Sequence, residues 1–150
     1  MTRKTRVYLA GPLFNAAEKD YNLKITDVLE MHGYEVFLPQ RDGFEAAALN
    51  GSQVQIVRQI FAKDTAEVDN ADVVVIVLDG RVPDDGACVE LGYAFAKGKR
   101  CYGIKTDTRA LQTGLELNPL IAGCLRGLLR VGPNEDACEV LDVYLQVNNL

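Results

Sequence analysis

Short apolar runs alternate with longer segments of mixed polarity along the whole chain. The runs predict five β-strands, at residues 6–10, 34–38, 72–78, 101–105 and 127–131. The third run is uninterrupted after Asp72, which is typical of a central parallel strand covered on both faces. The longer segments between the runs predict helices.

Capping signals locate these helices. Asn15 followed by Glu18 resembles a capping box, and Gly33 supplies the stop of the helix that begins there. Four further helices are predicted, at residues 52–68, at 85–98, after Asn118-Pro119 and from 135 onward. Residues 39–51 are polar and punctuated by glycine, and they predict a long loop near the ligand.

Strands separated by helices predict an α/β fold, a doubly wound (flavodoxin-like) five-stranded parallel sheet with helices on both faces. A length of 150 residues fits one domain over residues 1–150. Ligands of such folds bind beyond the carboxyl ends of the strands. The loops that begin at Ala10, Leu38 and Leu78 should therefore converge, and function must be sought in them.

Composition and charge narrow the classes of function. With 48% hydrophobic and 25% charged residues, the chain resembles an ordinary globular protein. The net charge of −5 argues against a protein that coats nucleic acid, which needs clustered lysine and arginine. No apolar run approaches the roughly 20 residues of a membrane helix, and no apolar signal segment follows the basic N-terminus. A cytoplasmic protein without a membrane partner is expected.

Cysteine and histidine content argues against a zinc site. The four cysteines lie far apart, with no C-x-x-C pair, and His32 is the only histidine of the sequence. We interpret the cysteines as small buried apolar residues and His32 as a solvated residue at a helix end. No metal or other cofactor is predicted, so acid–base chemistry must come from carboxylates.

Asp64 lies in an apolar stripe of the helix predicted at 52–68. The apolar members of the stripe follow three- and four-residue steps, the spacing of a face that packs on a core; they are Val54, Val57, Phe61 and Val68. A carboxylate on a buried face is costly unless it is paired or functional. Two interpretations stay open from this position alone: a functional carboxylate, or a helix-end aspartate that turns to solvent or to an ion pair.

Residues 83–94 place several acidic groups at the start of a predicted helix. Asp84 or Asp85 would cap the helix, and Gly86 would let backbone or ligand approach closely. Glu90 then lies a little over one turn into the helix, whose positive end favours the ionised form. Attack on a sugar carbon requires an ionised, positioned carboxylate. On spacing alone, a glutamate that only complements the helix dipole is the commoner case.

Tyr8 lies in the first predicted strand, just ahead of Gly11-Pro12. Most strand tyrosines are core residues with a satisfied hydroxyl, but at the ligand-binding edge this hydroxyl could hold a carboxylate. Gly11-Pro12 does not match the G-x-G-x-x-G fingerprint, and proline removes an N–H that a phosphate cradle would use. A dinucleotide cofactor is therefore not expected.

Four motifs together resemble those of the nucleoside 2-deoxyribosyltransferase family, over nearly the whole chain. They are Tyr8-Leu-Ala-Gly11-Pro-Leu-Phe14, Lys63-Asp64 eight residues ahead of Asp72, the D-x-G-x-x-x-E-L-G-Y-A string of residues 84–94, and Asn118-Pro-Leu120. The string is the most specific of the four. Their order and spacing together carry the resemblance.

The resemblance implies that Glu90 is the nucleophile and that Tyr8 holds it in line. Asp64 and Asp84 match further catalytic carboxylates, which help protonate the leaving base and position the substrate. The residues that match substrate contacts are Gly11, Phe14, Gln40, Arg41, Asp42, Gly86 and Asn118. Asn118 would reach the 5′-hydroxyl in a neighbouring subunit's site, so a homo-oligomer is implied. The implied partners are purine or pyrimidine 2′-deoxynucleosides and free nucleobases; the sequence of residues 40–42 leaves the base preference open.

The chemistry of base exchange agrees with these assignments. A carboxylate that bonds to C1′, followed by attack of a second base, gives a double displacement with net retention. The leaving base needs an acid with a raised pKa. Asp64 on a buried stripe is the candidate, because desolvation raises the pKa of a carboxyl group.

Two alternatives remain open. The first is a 2′-deoxynucleoside 5′-phosphate N-hydrolase that uses water as acceptor. Arg81 and Lys105 could hold its phosphate, whereas Asp84-Asp85 would repel it. The second is a non-catalytic nucleoside- or nucleotide-sensing module on the same fold. Such a module would have no use for a nucleophile with an acid partner.

Overall fold

The computed structural model describes residues 3–111 and 114–150. Its described residues form a parallel sheet in the order β2-β1-β3-β4-β5, which is the flavodoxin-like order. The strands are β1 Arg6–Ala10, β2 Glu35–Phe37, β3 Val73–Val77, β4 Arg100–Lys105 and β5 Gly127–Arg130. All four neighbouring pairs are parallel. The predicted doubly wound five-stranded sheet is confirmed.

Helices connect the strands, and most begin at the predicted caps. They are α1 Ala16–Met31, α2 Pro39–Asp42, α3 Gln53–Asn70, α4 Asp85–Ala96, α5 Pro119–Cys124 and α6 Ala137–Val147. Asn15 and Ser52 form capping boxes with the residues three positions on. Asp84 and Asn118 accept hydrogen bonds from first-turn N–H groups of α4 and α5. These caps fix where the helices start relative to the strand ends.

The prediction of a long loop over residues 39–51 is wrong for the part that forms helical turns. Helix α2 occupies Pro39–Asp42, and a short 3-10 turn follows at Ala46–Ala48. Proline at the first helical position is preorganised for a helix. The Asp42 carboxylate accepts a hydrogen bond from the Leu38 N–H at 2.9 Å, which closes the turn. The segment is therefore folded against the end of β2.

Successive strand residues face opposite sides of the sheet, and different helices cover each side. Helices α1 and α6 pack on one face, against side chains such as Val73 and Val75. Helices α3, α4 and α5 pack on the other face, against side chains such as Val74 and Ile76. A central strand with helices on both faces requires buried side chains on both of its sides. We call these sides the α1/α6 face and the α3/α4 face.

The first part of the apolar stripe of α3 does not face the core, contrary to the prediction. Val54, Val57 and Phe61 are 61%, 58% and 64% exposed, whereas Val68 is 1% exposed. Only the last turns of α3 cover the sheet, so its first half stands clear of it. Periodicity identifies an apolar face of a helix but does not say what covers it.

Two smaller predictions about His32 and the cysteines also need correction. His32 ends α1 as expected, but its Nε2 lies 2.7 Å from Asp142 Oδ1 of α6, and its side chain is only 21% exposed. It therefore links two helices rather than facing solvent. Cys101 is buried, whereas Cys88, Cys124 and Cys138 are half-buried.

Among residues 3–111 and 114–150, no helix is long and apolar enough to cross a membrane.

Candidate active site

The strand order brings together the ends of β1, β2 and β3, as predicted from the sequence. Asn22 of α1 joins the first two loops: its Nδ2 donates to the Pro12 carbonyl at 2.8 Å and to Gln40 Oε1 at 3.0 Å. A Cβ on Gly11 would lie 3.1 Å from Val77 Cβ, so glycine permits close contact between the ends of β1 and β3. The carboxyl edge of the sheet is thus a compact surface.

Tyr8 and Glu90 meet at this edge although they are 82 residues apart in sequence. Tyr8 is fully buried in β1, and Glu90 lies on α4, whose start is fixed by the Asp84 cap. The Tyr8 hydroxyl donates a hydrogen bond of 2.6 Å to Glu90 Oε1. A charge-assisted O–H···O bond of this length holds the carboxylate in one orientation.

Burial dominates the electrostatics of Glu90. It raises the pKa of the carboxyl from 4.5 to about 7, with further upward contributions from the charges of Asp64 and Asp84. The Tyr8 hydrogen bond opposes the rise. Burial therefore opposes the ionised form of Glu90 that its position near the start of α4 is predicted to favour. The pKa of Tyr8 is itself raised by burial and by Glu90, so the phenol stays a neutral donor.

Asp64 lies half-buried on α3 and shares a cavity with Glu90. Burial is the main cause that raises the pKa of its carboxyl; Lys63 lowers that pKa, and Glu67 raises it. Lys63 Nζ lies 2.9 Å from Glu67 Oε1, which partly neutralises the lysine. The predicted direction of the pKa of Asp64 is confirmed, although burial comes from the cavity beside α4 rather than from a buried stripe.

The cavity has a volume of about 550 Å³ and lies between α3 and α4. Apolar side chains form most of its wall, among them Val57, Ile60 and Val89. Its size is within the range of small-molecule sites. Two carboxyl groups in an apolar wall favour a ligand that develops positive charge.

Three further residues of the predicted site, Gly86, Asp84 and Phe14, lie in or next to the loops that follow β1 and β3. Gly86 lines the cavity beside Glu90. Asp84 Oδ2 accepts a hydrogen bond from the Ala87 N–H at 2.8 Å, so this carboxylate caps α4 as well as acting on Glu90 through its charge. Phe14 is 77% exposed in the loop after β1, available for stacking on a ligand from solvent.

Gln40, Arg41 and Asp42 are engaged with neighbouring elements. Gln40 Nε2 donates to the Lys19 carbonyl at 2.8 Å, and Arg41 donates to the Val36 carbonyl at 2.7 Å and also pairs with Glu30. These contacts tie α2 to α1 and β2. Among the described residues that line the cavity of Glu90, none of the three is present.

Asn118 is separate from Glu90 within one chain. It is exposed and caps α5, accepting a hydrogen bond from the Leu120 N–H at 2.9 Å. It lines a second cavity of about 140 Å³, together with the cations Arg81, Lys105 and Arg109. Asn118 and Glu90 therefore line different cavities.

Two side chains next to these groups were not predicted from the sequence. Phe37 of β2 stacks on Tyr8, with ring centroids 5.4 Å apart. Glu67 of α3 raises the pKa of both Tyr8 and Asp64. The four-residue spacing of Lys63 and Glu67 was a usable signal for an ion pair.

In the part of the chain that the structure describes, no group of three or more His, Cys, Asp or Glu could hold a metal ion.

Comparison with known proteins gives one family match. The model of a family described as nucleoside 2-deoxyribosyltransferase matches residues 7–138. A conserved protein from Enterococcus faecalis V583 is similar in structure, with 24% identity, a TM-score of 0.75, and coverage of 96% of this chain and 98% of that chain.

Two further solved structures share the fold. A 2-deoxyribosyltransferase from Bacillus psychrosaccharolyticus is 23% identical, with a TM-score of 0.72 over 94% of this chain and 96% of that chain. A CMP N-glycosidase from Clostridium botulinum is 20% identical, with a TM-score of 0.58 over 93% and 99%. At these identities the likeness concerns the fold, on which different activities can be built.

Proposed function

The chain belongs to the nucleoside 2-deoxyribosyltransferase family, and from this premise we propose that it transfers 2-deoxyribose between nucleobases. The reaction is a double displacement through a covalent deoxyribosyl–Glu90 intermediate, with net retention at C1′. The substrates are purine or pyrimidine 2′-deoxynucleosides and free nucleobases. The observation that carries the proposal is the 2.6 Å bond from Tyr8 to Glu90 in a cavity shared with Asp64.

In the first step, a carboxylate oxygen of Glu90 bonds to C1′ while the C1′–N bond breaks. The electron pair of that bond leaves with the base, which takes a proton from Asp64. The raised pKa of Asp64 favours the acid form that this step needs. The step also needs Glu90 in its ionised form, which the Tyr8 hydrogen bond favours against the effect of burial.

In the second step, a nitrogen of the incoming base attacks C1′ on the side that the first base has left. The C1′–O bond to Glu90 breaks, and the incoming base gives its proton to Asp64. Each displacement inverts C1′, so the product has the configuration of the substrate. An apolar cavity wall limits access of water to the intermediate, which favours a base over water as acceptor.

Assembly into a homo-oligomer is part of the proposal. Asn118 and Glu90 line different cavities, and in the proposed assembly a second copy supplies Asn118 to the substrate at Glu90. Val54, Val57 and Phe61 on the first half of α3 form an exposed apolar patch beside the cavity. Such patches mark interaction sites. A neighbour on this patch would cover the cavity and bring its own Asn118 toward the sugar.

The test is to incubate the protein with deoxyinosine, with and without adenine, and to separate the products by chromatography. Wild type and a control, Glu139→Ala on the exposed start of α6, should form deoxyadenosine. Glu90→Ala should form none. Mass spectrometry of wild type quenched without acceptor should find one deoxyribosyl group on the peptide that contains Glu90. Failure to see turnover with purine and pyrimidine deoxynucleosides and their nucleotides would instead favour a sensing module.

A second candidate is a 2′-deoxynucleoside 5′-phosphate N-hydrolase. The observation that favours it is the cavity next to Asn118, where Arg81, Lys105 and Arg109 come together and could neutralise a phosphate. With deoxynucleoside monophosphates, release of the free base and deoxyribose 5-phosphate without exchange would select this candidate. Efficient exchange between deoxynucleosides and free bases would reject it.

A further inference from the structure

An aromatic contact connects the edge strand of the sheet to Glu90. Phe37, the last residue of β2, is the register partner of Tyr8 in the parallel pairing of β1 and β2. The two rings stack with centroids 5.4 Å apart and an interplanar angle of 25°. The Tyr8 hydroxyl then donates to Glu90 Oε1. Phe37 thus touches the residue that orients the proposed nucleophile.

A cation holds the Phe37 ring from helix α3. Lys63 Nζ lies 5.3 Å from the centroid of the ring, within the range of a cation–π contact. The same ammonium pairs with Glu67 Oε1 at 2.9 Å, and Glu67 also receives Arg6 at 3.5 Å. With these two contacts, to the ring and to Glu67, the ammonium has a defined place. The ring in turn has little freedom to turn away from Tyr8.

We propose that Phe37 is a positioning residue for Glu90, which acts by packing its ring against Tyr8 and is itself held by Lys63. Because β2 is an edge strand, Phe37 forms the wall of the Tyr8 site on that side. The kinetic consequence rests on the proposed function of Glu90. The structural consequence does not, since it concerns only the orientation of the Tyr8 hydroxyl.

A flat ring is needed for this role rather than apolar volume alone. Stacked rings constrain each other's planes, whereas an aliphatic side chain leaves Tyr8 freedom to rotate. Rotation would loosen the hydrogen bond to Glu90. The groups that act on Glu90 are Tyr8 from β1, Asp64 from α3 and Asp84 from the start of α4. Among these groups, only Tyr8 lowers the pKa of Glu90, through its hydrogen bond. A looser hydrogen bond should therefore raise this pKa, because burial, Asp64 and Asp84 all act to raise it.

The first experiment follows the Glu90 carboxyl carbon by NMR, in protein labelled with carbon-13 at glutamate and with Glu90→Gln to assign the signal. In wild type the titration midpoint is expected near 7. In Phe37→Leu it should rise by about half a pH unit. Phe37→Tyr keeps the ring and should restore the wild-type midpoint. The matched control is Phe95→Leu, an exposed phenylalanine of α4, which should leave the midpoint unchanged.

The second readout is exchange kinetics. Phe37→Leu should lower kcat about tenfold and change KM less than about twofold, because a misplaced nucleophile slows chemistry more than binding. If Phe37→Leu fails to fold, Phe37→Met supplies a second variant of similar volume. An unchanged Glu90 midpoint in a folded variant overturns the proposal. The NMR titration needs no substrate, so it decides the matter even where wild type shows no exchange and the proposed function fails.

Discussion

The two faces of the sheet differ in how fully helices cover their apolar side chains. On the α1/α6 face, the two helices bury the apolar side chains of the strands within the chain itself. On the α3/α4 face, α3 covers the sheet only with its last turns, and Val54, Val57 and Phe61 stay more than half exposed. The cavity that contains Asp64 and Glu90 lies on this second face. The face that leaves its apolar surface open is therefore also the face that carries the candidate chemistry.

The ionisable side chains of the two faces also differ in their surroundings. On the α1/α6 face, His32 at the end of α1 pairs with Asp142 of α6. On the α3/α4 face, burial raises the pKa of both Glu90 and Asp64. A polar pair between two helices contributes to packing, whereas a buried carboxyl with a raised pKa is suited to proton transfer and nucleophilic attack. Environment, rather than residue type, separates the structural from the candidate catalytic groups.

The largest expected effect compares two aspartates of the same helix. Asp64 lies in the cavity, whereas Asp69 is bonded by Tyr93 at 3.0 Å and by Lys97 at 2.9 Å, and Lys97 is the first cause of its lowered pKa. Asp64→Asn should lower kcat/KM for base exchange about 100- to 1000-fold, since it removes the proton donor. Asp69→Asn should stay within about twofold of wild type. Equal losses in steady-state assays of both variants would remove Asp64 from its proposed role.

Local signals explain why so much of the fold could be predicted. The capping boxes at Asn15 and Ser52 each depend on side chains three residues apart, so the sequence alone locates these helix starts. The apolar run of β3 is likewise a local pattern and marks a central strand. Alternation of strands and helices then leaves few topologies.

The parts that could not be predicted depend on contacts between distant segments. The spacing of Val54, Val57 and Phe61 showed an apolar face but not that the sheet ends before reaching it. The raised pKa of Glu90 comes mainly from its burial in the folded chain, which its position near a helix start does not reveal. The pairing of Tyr8 with Glu90 spans 82 residues, and only the family resemblance proposed it in advance.

A second prediction concerns stability on the α3/α4 face. The pKa of Glu90 is 4.5 in an ordinary environment and about 7 in the fold, so the folded state binds more protons between these values. The contribution of Glu90 to the free energy of unfolding is complete below pH 4.5 and is lost as the pH rises to about 7. Glu90→Gln avoids the loss and should be more stable than wild type at pH 8 by about 3 kcal/mol.

Urea unfolding at pH 8 and at pH 4.5 measures this difference, which should shrink toward zero at the lower pH. Glu139→Gln on the exposed start of α6 is the control from the other face and should match wild type at both values. A stabilisation of Glu90→Gln that is independent of pH would contradict the explanation by burial of a charge.

The third prediction tests whether the open apolar patch is covered by a second copy. Val54→Asp on α3 should weaken self-association at least about tenfold, because a charge would be buried in the contact. Val143→Asp on α6 is a matched control, since Val54 and Val143 are both 61% exposed. Sedimentation velocity over a range of concentrations gives the dissociation constants. Equal weakening by both substitutions, or a monomeric wild type, would show that the α3 patch is not the interface.

The smallest expected effect concerns the ion pair that adjoins the cavity. Lys63 lowers the pKa of Asp64, whereas Glu67 raises it. Lys63→Gln should therefore move the titration of Asp64 to higher pH, and Glu67→Gln should move it to lower pH, with changes in kcat/KM of less than about threefold. NMR of protein labelled with carbon-13 at aspartate, assigned with Asp64→Asn, measures both midpoints. Because the two variants each remove one member of the same pair, a purely structural disturbance would shift the midpoints in the same direction. Opposite shifts would show that the charges beside the open face set the protonation of its proposed acid.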